Sequence, residues 1–181
     1  MTNRILLVDD EPHIISALKR VLLEEPYEIL SAASAEEGLK LMESTRFKVV
    51  ISDERMPGMG GAEFLSLVRN SHPETIRILL TGYASLESAM TAVNGGEIYR
   101  FFMKPWNDLE LILAVRTAVE RYDLEEENRR LLALVKRQSR ELKAIEERFP
   151  GITGIERGDD GSITLPEMSE EEMEQIRKQC G

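Results

Sequence analysis

Apolar residues gather in five short runs, at residues 4–8, 27–31, 47–52, 76–81 and 99–103, separated by longer stretches of different rhythm. The runs are rich in Val, Ile, Leu and Phe and show little alternation. Runs of that kind suit strands covered on both faces, as in a parallel sheet. Tyr27-Glu28-Ile29-Leu30 is the most polar of them and is expected nearer an edge.

Between the runs, apolar positions recur at helical spacing. Ile14, Ile15, Leu18, Val21 and Leu22 form one stripe, and Pro12 suits the first turn ahead of it. Ser34 and Glu37 have capping-box spacing before Leu39 and Met42. Gly60-Gly61 precedes Phe64, Leu65 and Val68, the apolar face of a third predicted helix. Ser85 is placed to cap a fourth, ending near Asn94-Gly95-Gly96. Asn107 and Glu110 repeat the capping-box spacing and open a fifth. Strict alternation of strand and helix with short connections predicts an α/β fold: a doubly wound, five-stranded parallel sheet with right-handed crossovers.

The fifth helix has no stop signal where a domain of this kind should end. From Asp108 to about Arg148 there is neither Pro nor Gly. Asn128, Val135, Leu142 and Phe149 fall on one heptad position, and Leu124, Leu131, Gln138 and Ile145 on its partner. Spacing of 3.5 with Glu, Arg and Lys at the flanks predicts a two-stranded coiled coil, and an Asn in the seam favours a dimer in fixed register. Beyond Phe149-Pro150-Gly151, the stretch from Ile152 to Leu165 reads as a small hairpin around Gly158-Asp159-Asp160-Gly161, and Glu167 to Lys178 as a short acidic helix. The expected organisation is a domain over 1–121, a coiled-coil helix over 122–149 and a hairpin-helix tail over 150–181.

Composition narrows the function. The 181 residues carry 33 Asp and Glu against 23 Lys and Arg, a formal net charge of -10. That balance disfavours direct binding of nucleic acid, which needs clustered cations. Cys180 is the single cysteine, so no disulfide can form within the chain. No apolar stretch approaches the ~20 residues of a membrane helix, and cytoplasmic placement is expected.

Chemistry enters at the ends of the runs. Asp9-Asp10-Glu11 follows the first, Asp53 the third, Thr81 ends the fourth, and Lys104-Pro105 follows the fifth. Doubly wound sheets gather their sites at the carboxyl ends of their strands. Three carboxylates there call for a divalent cation, and Mg²⁺ suits a few hard oxygens plus water. One carboxylate is then free to attack phosphorus, with an ammonium and a hydroxyl meeting the remaining charge.

Four stretches carry a resemblance. Leu7-Val8-Asp9-Asp10-Glu11-Pro12, Ser52-Asp53-Glu54-Arg55-Met56-Pro57-Gly58, Leu80-Thr81-Gly82-Tyr83 and Phe102-Met103-Lys104-Pro105-Trp106 together resemble the receiver domain of bacterial two-component response regulators, over residues 3–121. The resemblance implies a sheet of flavodoxin-like order and a phosphoryl group accepted on Asp53 from a sensor histidine kinase or phosphotransfer protein. It implies Mg²⁺ held by Asp9, Asp10, Asp53 and the carbonyl of Arg55, with Thr81 and Lys104 on the phosphoryl group and a cis bond between Lys104 and Pro105. Thr81 and Phe101 match the family's switch pair, and Arg55 and Tyr83 the positions that tune hydrolysis. Both tuning residues are large and would screen the attacking water, which implies a long-lived phosphoryl state.

Two departures stand out. Gly60 replaces a frequent Asp or Asn, and Phe101 lacks the hydroxyl of the commoner Tyr. The run from Asn94 to Trp106 resembles receivers attached to cyclic-dinucleotide or transcriptional output modules, and the tail is too short to hold one. The chain is therefore expected to signal through protein contacts or to continue in a longer gene product. Two other classes compete. A metal-dependent phosphatase of the acyl-phosphate type needs a second acid where Arg55 stands. A scaffold would dimerise without phosphorylation and has no use for the intact Asp9, Asp10, Asp53, Thr81 and Lys104 set.

Overall fold

The computed structural model describes residues 3–82, 98–149, 156–157 and 163–164. The predicted fourth helix, Tyr83 and the acidic tail helix lie outside the described residues. The chain divides into two compact units, Met1–Asn128 and Arg129–Gly181.

In the first unit, strands β1 (Asn3–Val8), β2 (Tyr27–Ala32), β3 (Val49–Asp53), β4 (Ile76–Thr81) and β5 (Arg100–Met103) form one sheet in the order β2-β1-β3-β4-β5. Every neighbouring pair is parallel. This is the flavodoxin-like order, and β2, the most polar run, is indeed an edge. β3 begins at Val49, two residues later than its apolar run, because Phe47 packs into the core ahead of the strand.

Alternation along each strand sorts the core into two layers. Ile5, Leu7, Val49, Ile51, Ile78 and Leu80 face one side, where they meet Leu18 and Leu22 and then Leu111, Ala114, Val115 and Ala118. These come from α1 (Pro12–Val21), the turn after it and α4 (Asp108–Arg148). Leu6, Val8, Val50 and Leu79 face the other, where they meet Ala35 and Met42 of α2 (Ala35–Ser44) and Phe64, Leu65 and Val68 of α3 (Gly61–Ser71). Helices on both faces explain why the strands read as unbroken apolar runs.

The caps follow the sequence. Pro12 occupies the first turn of α1. The Glu37 N–H donates to Ser34 Oγ at 3.2 Å, while the Glu37 carboxylate accepts from the Ala33 N–H rather than from Ser34's own. The Glu110 N–H donates to Asn107 Oδ1 at 3.0 Å. α3 starts on Gly60 with no side-chain cap. No described helix is long and apolar enough to cross a membrane.

Two polar contacts tie α4 to the rest of its unit. Arg116 makes a two-pronged contact with Glu25. Near the foot of the sheet, the buried Lys48 ammonium donates to Asn3 Oδ1 at 2.7 Å, pairs with Asp123, and lies 5.7 Å from the centre of the Tyr122 ring. In the second unit, β6 (Glu156–Arg157) and β7 (Ile163–Thr164) pair antiparallel, and the stretch between them lies outside the described residues.

One glycine is set by proximity to the edge of β3. A Cβ added to Gly61 would lie 1.9 Å from the carbonyl oxygen of Asp53, whereas one on Gly60 would meet nothing closer than 3.4 Å. A backbone atom cannot yield as a flexible side chain does. Gly61→Ala should therefore lower stability by about 2 kcal/mol or more, with Gly60→Ala costing less than about 1 kcal/mol. Urea unfolding of the two variants checks this, and equal midpoints would contradict it.

Candidate functional site

The carboxyl ends of β1, β3 and β4 and the turn after β5 converge on Lys104. Its ammonium meets Asp53 Oδ1 at 2.6 Å and Asp9 Oδ2 at 2.9 Å, with Glu11 at 3.9 Å. The backbone holds the lysine in place: its N–H donates to the Thr81 carbonyl at 2.8 Å, and the Lys104-Pro105 bond is cis.

The two carboxylates are gripped alike. The second oxygen of Asp9 accepts the Glu11 N–H at 2.9 Å, and that of Asp53 accepts the Arg55 N–H at 2.8 Å. Each is thus an Asp that closes a turn on the N–H two residues on and gives its other oxygen to the lysine. Both are buried, at 2% and 6% exposure.

The charge is not balanced. Burial raises the Asp9 carboxyl above its ordinary range, and the bonds from Lys104 and the Glu11 N–H recover only part of that cost; the Asp53 charge adds to it. Burial also works against the Lys104 ammonium, but bonds to Asp53 and Asp9 outweigh it and lift the lysine above its usual value. One cation serves two anions.

Thr81, fully buried, donates its hydroxyl to the Glu54 carboxylate, with the Gly82 carbonyl as a second acceptor at 3.0 Å. Phe101 is half-buried against the α2–α3 layer of the core. The exposed Arg55 guanidinium reaches back towards Gly82, where an added Cβ would meet Nη2 at 3.1 Å. His13 is exposed on the first turn of α1, 3.4 Å from Glu11.

The structure therefore brings together Asp9, Asp53, Thr81 and Lys104. Asp10 is half-buried at the same edge and outside the lysine bridge. Tyr83 lies outside the described residues. Among the described residues, no three Asp, Glu, His or Cys side chains are grouped to hold a metal. Mg²⁺ needs no such group, since one or two carboxylates with a carbonyl and water suffice. The donors at this edge are hard oxygens with surplus negative charge, so they fit that ion. Sequence reasoning missed Glu54 and Gly61. The strand ladder holds the signal for Glu54: Asp53 pairs with Leu80, so Glu54 falls beside Thr81 at the next position.

Residues 5–116 match the family model of the response regulator receiver domain. The hydrogenase transcriptional regulatory protein HoxA of Cupriavidus necator is 41% identical over 127 residues, which is 70% of this chain and 26% of that protein. Among solved structures, the signal receiver domain of an HD domain-containing protein from Pseudomonas fluorescens Pf-5 is 40% identical with a TM-score of 0.66, covering 70% of this chain and 93% of that one. A response regulator receiver domain protein from Clostridium thermocellum is 32% identical with a TM-score of 0.63, covering 67% and 98%. The chain thus spans about a quarter of the length of HoxA, and nearly all of the two receiver structures.

Relief of the crowded anions should be measurable. A carboxyl that protonates more readily folded than unfolded costs stability once the pH exceeds its unfolded value, and the full cost is present above its folded value. Asp9→Asn removes that cost. The variant, in which Lys104 keeps Asp53 as its partner, should be more stable than the parent at pH 7 without added metal. The advantage should shrink as pH falls through the carboxylate range. Chemical denaturation at pH 7 and pH 4 reads the difference; an advantage that grew on acidification would have the wrong sign.

Proposed function

The chain belongs to the response regulator receiver family, and on that premise we propose that Asp53 accepts a phosphoryl group from a histidine kinase or phosphotransfer protein. The observation that carries the reading is the ammonium of Lys104, 2.6 Å from Asp53 and 2.9 Å from Asp9. A nucleophilic carboxylate is held beside a cation able to meet the oxygens of an incoming phosphoryl group.

One oxygen of Asp53 forms a bond to phosphorus as the bond from phosphorus to the donor's imidazole nitrogen breaks. The electron pair leaves with that nitrogen. Lys104 turns from a carboxylate oxygen to a phosphoryl oxygen, and the Thr81 hydroxyl donates to another. Asp9, Asp10, Asp53 and the Arg55 carbonyl are the oxygens that would hold Mg²⁺. When bound, Mg²⁺ supplies further neutralisation of charge on the transferring group. Arg55 and Tyr83 screen the acyl phosphate from water.

Movement of Thr81 opens space for Phe101, and the surface around β5 and the start of α4 changes with it. This is a shift between two populations, biased by the new anion. The signal passes along α4. Leu124, Leu131, Val135, Leu142, Ile145 and Phe149 are each 45% exposed or more, at heptad spacing. A second copy of this chain would cover them as a coiled-coil dimer. Curated relatives such as HoxA are named as transcriptional regulators; this chain's own downstream partner is a protein or an output module beyond it. The reading carries with it a cytoplasmic setting.

Acetyl phosphate with Mg²⁺ should add one phosphoryl group to the protein and none to Asp53→Asn, read by intact mass. Repeated turnover of the donor would favour a phosphatase, and an absence of label a scaffold. In a chase, replacing both Arg55 and Tyr83 by Ala should speed loss of the label several-fold; an equal or slower rate would reject the screening role.

The dimer has its own check. Cysteine placed at Leu131 should cross-link between copies, to an extent that beryllofluoride, a phosphoryl mimic, alters. Cross-linking that is absent, or identical in both states, would count against coupling through the helix.

A further inference from the structure

The side chain that faces the Thr81 hydroxyl is an anion. Glu54 is fixed through its backbone from two sides: its N–H donates to the Leu80 carbonyl at 2.9 Å, and its carbonyl accepts from Gly61 at 2.9 Å. Only its side chain is free to vary, and that reaches Thr81. The ammonium of the cluster is engaged with Asp9, Asp53 and, at longer range, Glu11.

A threonine hydroxyl has one proton to give. Here it has a carboxylate and the Gly82 carbonyl as acceptors, and the charged one binds more strongly. A phosphoryl group on Asp53 would need that same proton.

We propose that Glu54 is a positioning residue that holds the Thr81 hydroxyl in the unmodified state, so that phosphorylation trades one anionic acceptor for another. This rests on the reading of Asp53 as phosphoacceptor. Glu54 therefore sets how far the unmodified protein is biased against switching. Its half-exposed side chain can turn to water once the hydroxyl leaves, which keeps the exchange reversible. A neutral residue at this position would leave Thr81 with only the weaker carbonyl to abandon.

The test is a double-mutant cycle with two readouts. In the first, Glu54→Gln and Thr81→Val are made singly and together in metal-free protein, and urea midpoints are compared. The proposal expects the two substitutions to be non-additive; additive effects would overturn it.

In the second, beryllofluoride affinity in Mg²⁺ is followed through the fluorescence of Trp106, the single tryptophan. Glu54→Ala and Glu54→Gln should tighten binding, by about tenfold for Ala and less for Gln. In the Thr81→Val background the gain should fall at least threefold. An equal gain in both backgrounds would mean that Glu54 acts only by repelling the anion, which overturns the positioning role, as would no gain at all. Failure of the parent protein to bind beryllofluoride would instead reject the phosphoacceptor reading and with it the exchange, whatever the metal-free cycle gives.

Discussion

Two buried carboxylates sharing one ammonium is the constraint around which the working edge of this protein is arranged. Lys104 is shared between Asp9 and Asp53, and burial leaves the Asp9 carboxyl above its ordinary range in spite of it. On the proposed reading, that imbalance serves affinity for positive charge and readiness to redistribute the lysine when a further anion arrives.

The fold makes that imbalance possible. Parallel strands end together at one edge, and the crossing from β2 over β1 to β3 leaves a crevice there, between β1 and β3. Two core layers, one under α1 and α4 and the other under α2 and α3, hold the strands rigid. The acids stand on those strand ends and on short turns closed by the Glu11 and Arg55 N–H groups. Their positions are therefore set by the sheet, with little freedom left to the loops.

Much of this was legible in the chain itself. Burial on both faces writes strands as continuous apolar runs, and Pro12, Ser34 and Asn107 mark helix starts by chemistry that acts within one turn. What escaped was contact between distant residues. Two adjacent glycines look interchangeable in sequence, yet only Gly61 lies against the Asp53 carbonyl. Asp9 and Asp10 are neighbours of identical type, and the direction in which β1 ends decides which one the lysine takes. Glu54 was assigned no role because its partner, Thr81, lies 27 positions further on and meets it only through strand register. Lys48 lies within an apolar run, and its mate Asp123 is 75 positions away.

That last pair says where the protein can be cut. The ammonium of Lys48 is 9% exposed in its side chain and is held by Asn3 from one end of the domain and Asp123 from the other. A fragment trimmed to the reach of the family match, at residue 116, would keep Asp9, Asp53, Thr81 and Lys104. It would also strand a cation in the interior, stripped of its counterion and of the Tyr122 ring beside it. Electrostatic closure at the foot of the sheet thus calls for the helix as far as Asp123, several residues past the last one that the family model matches.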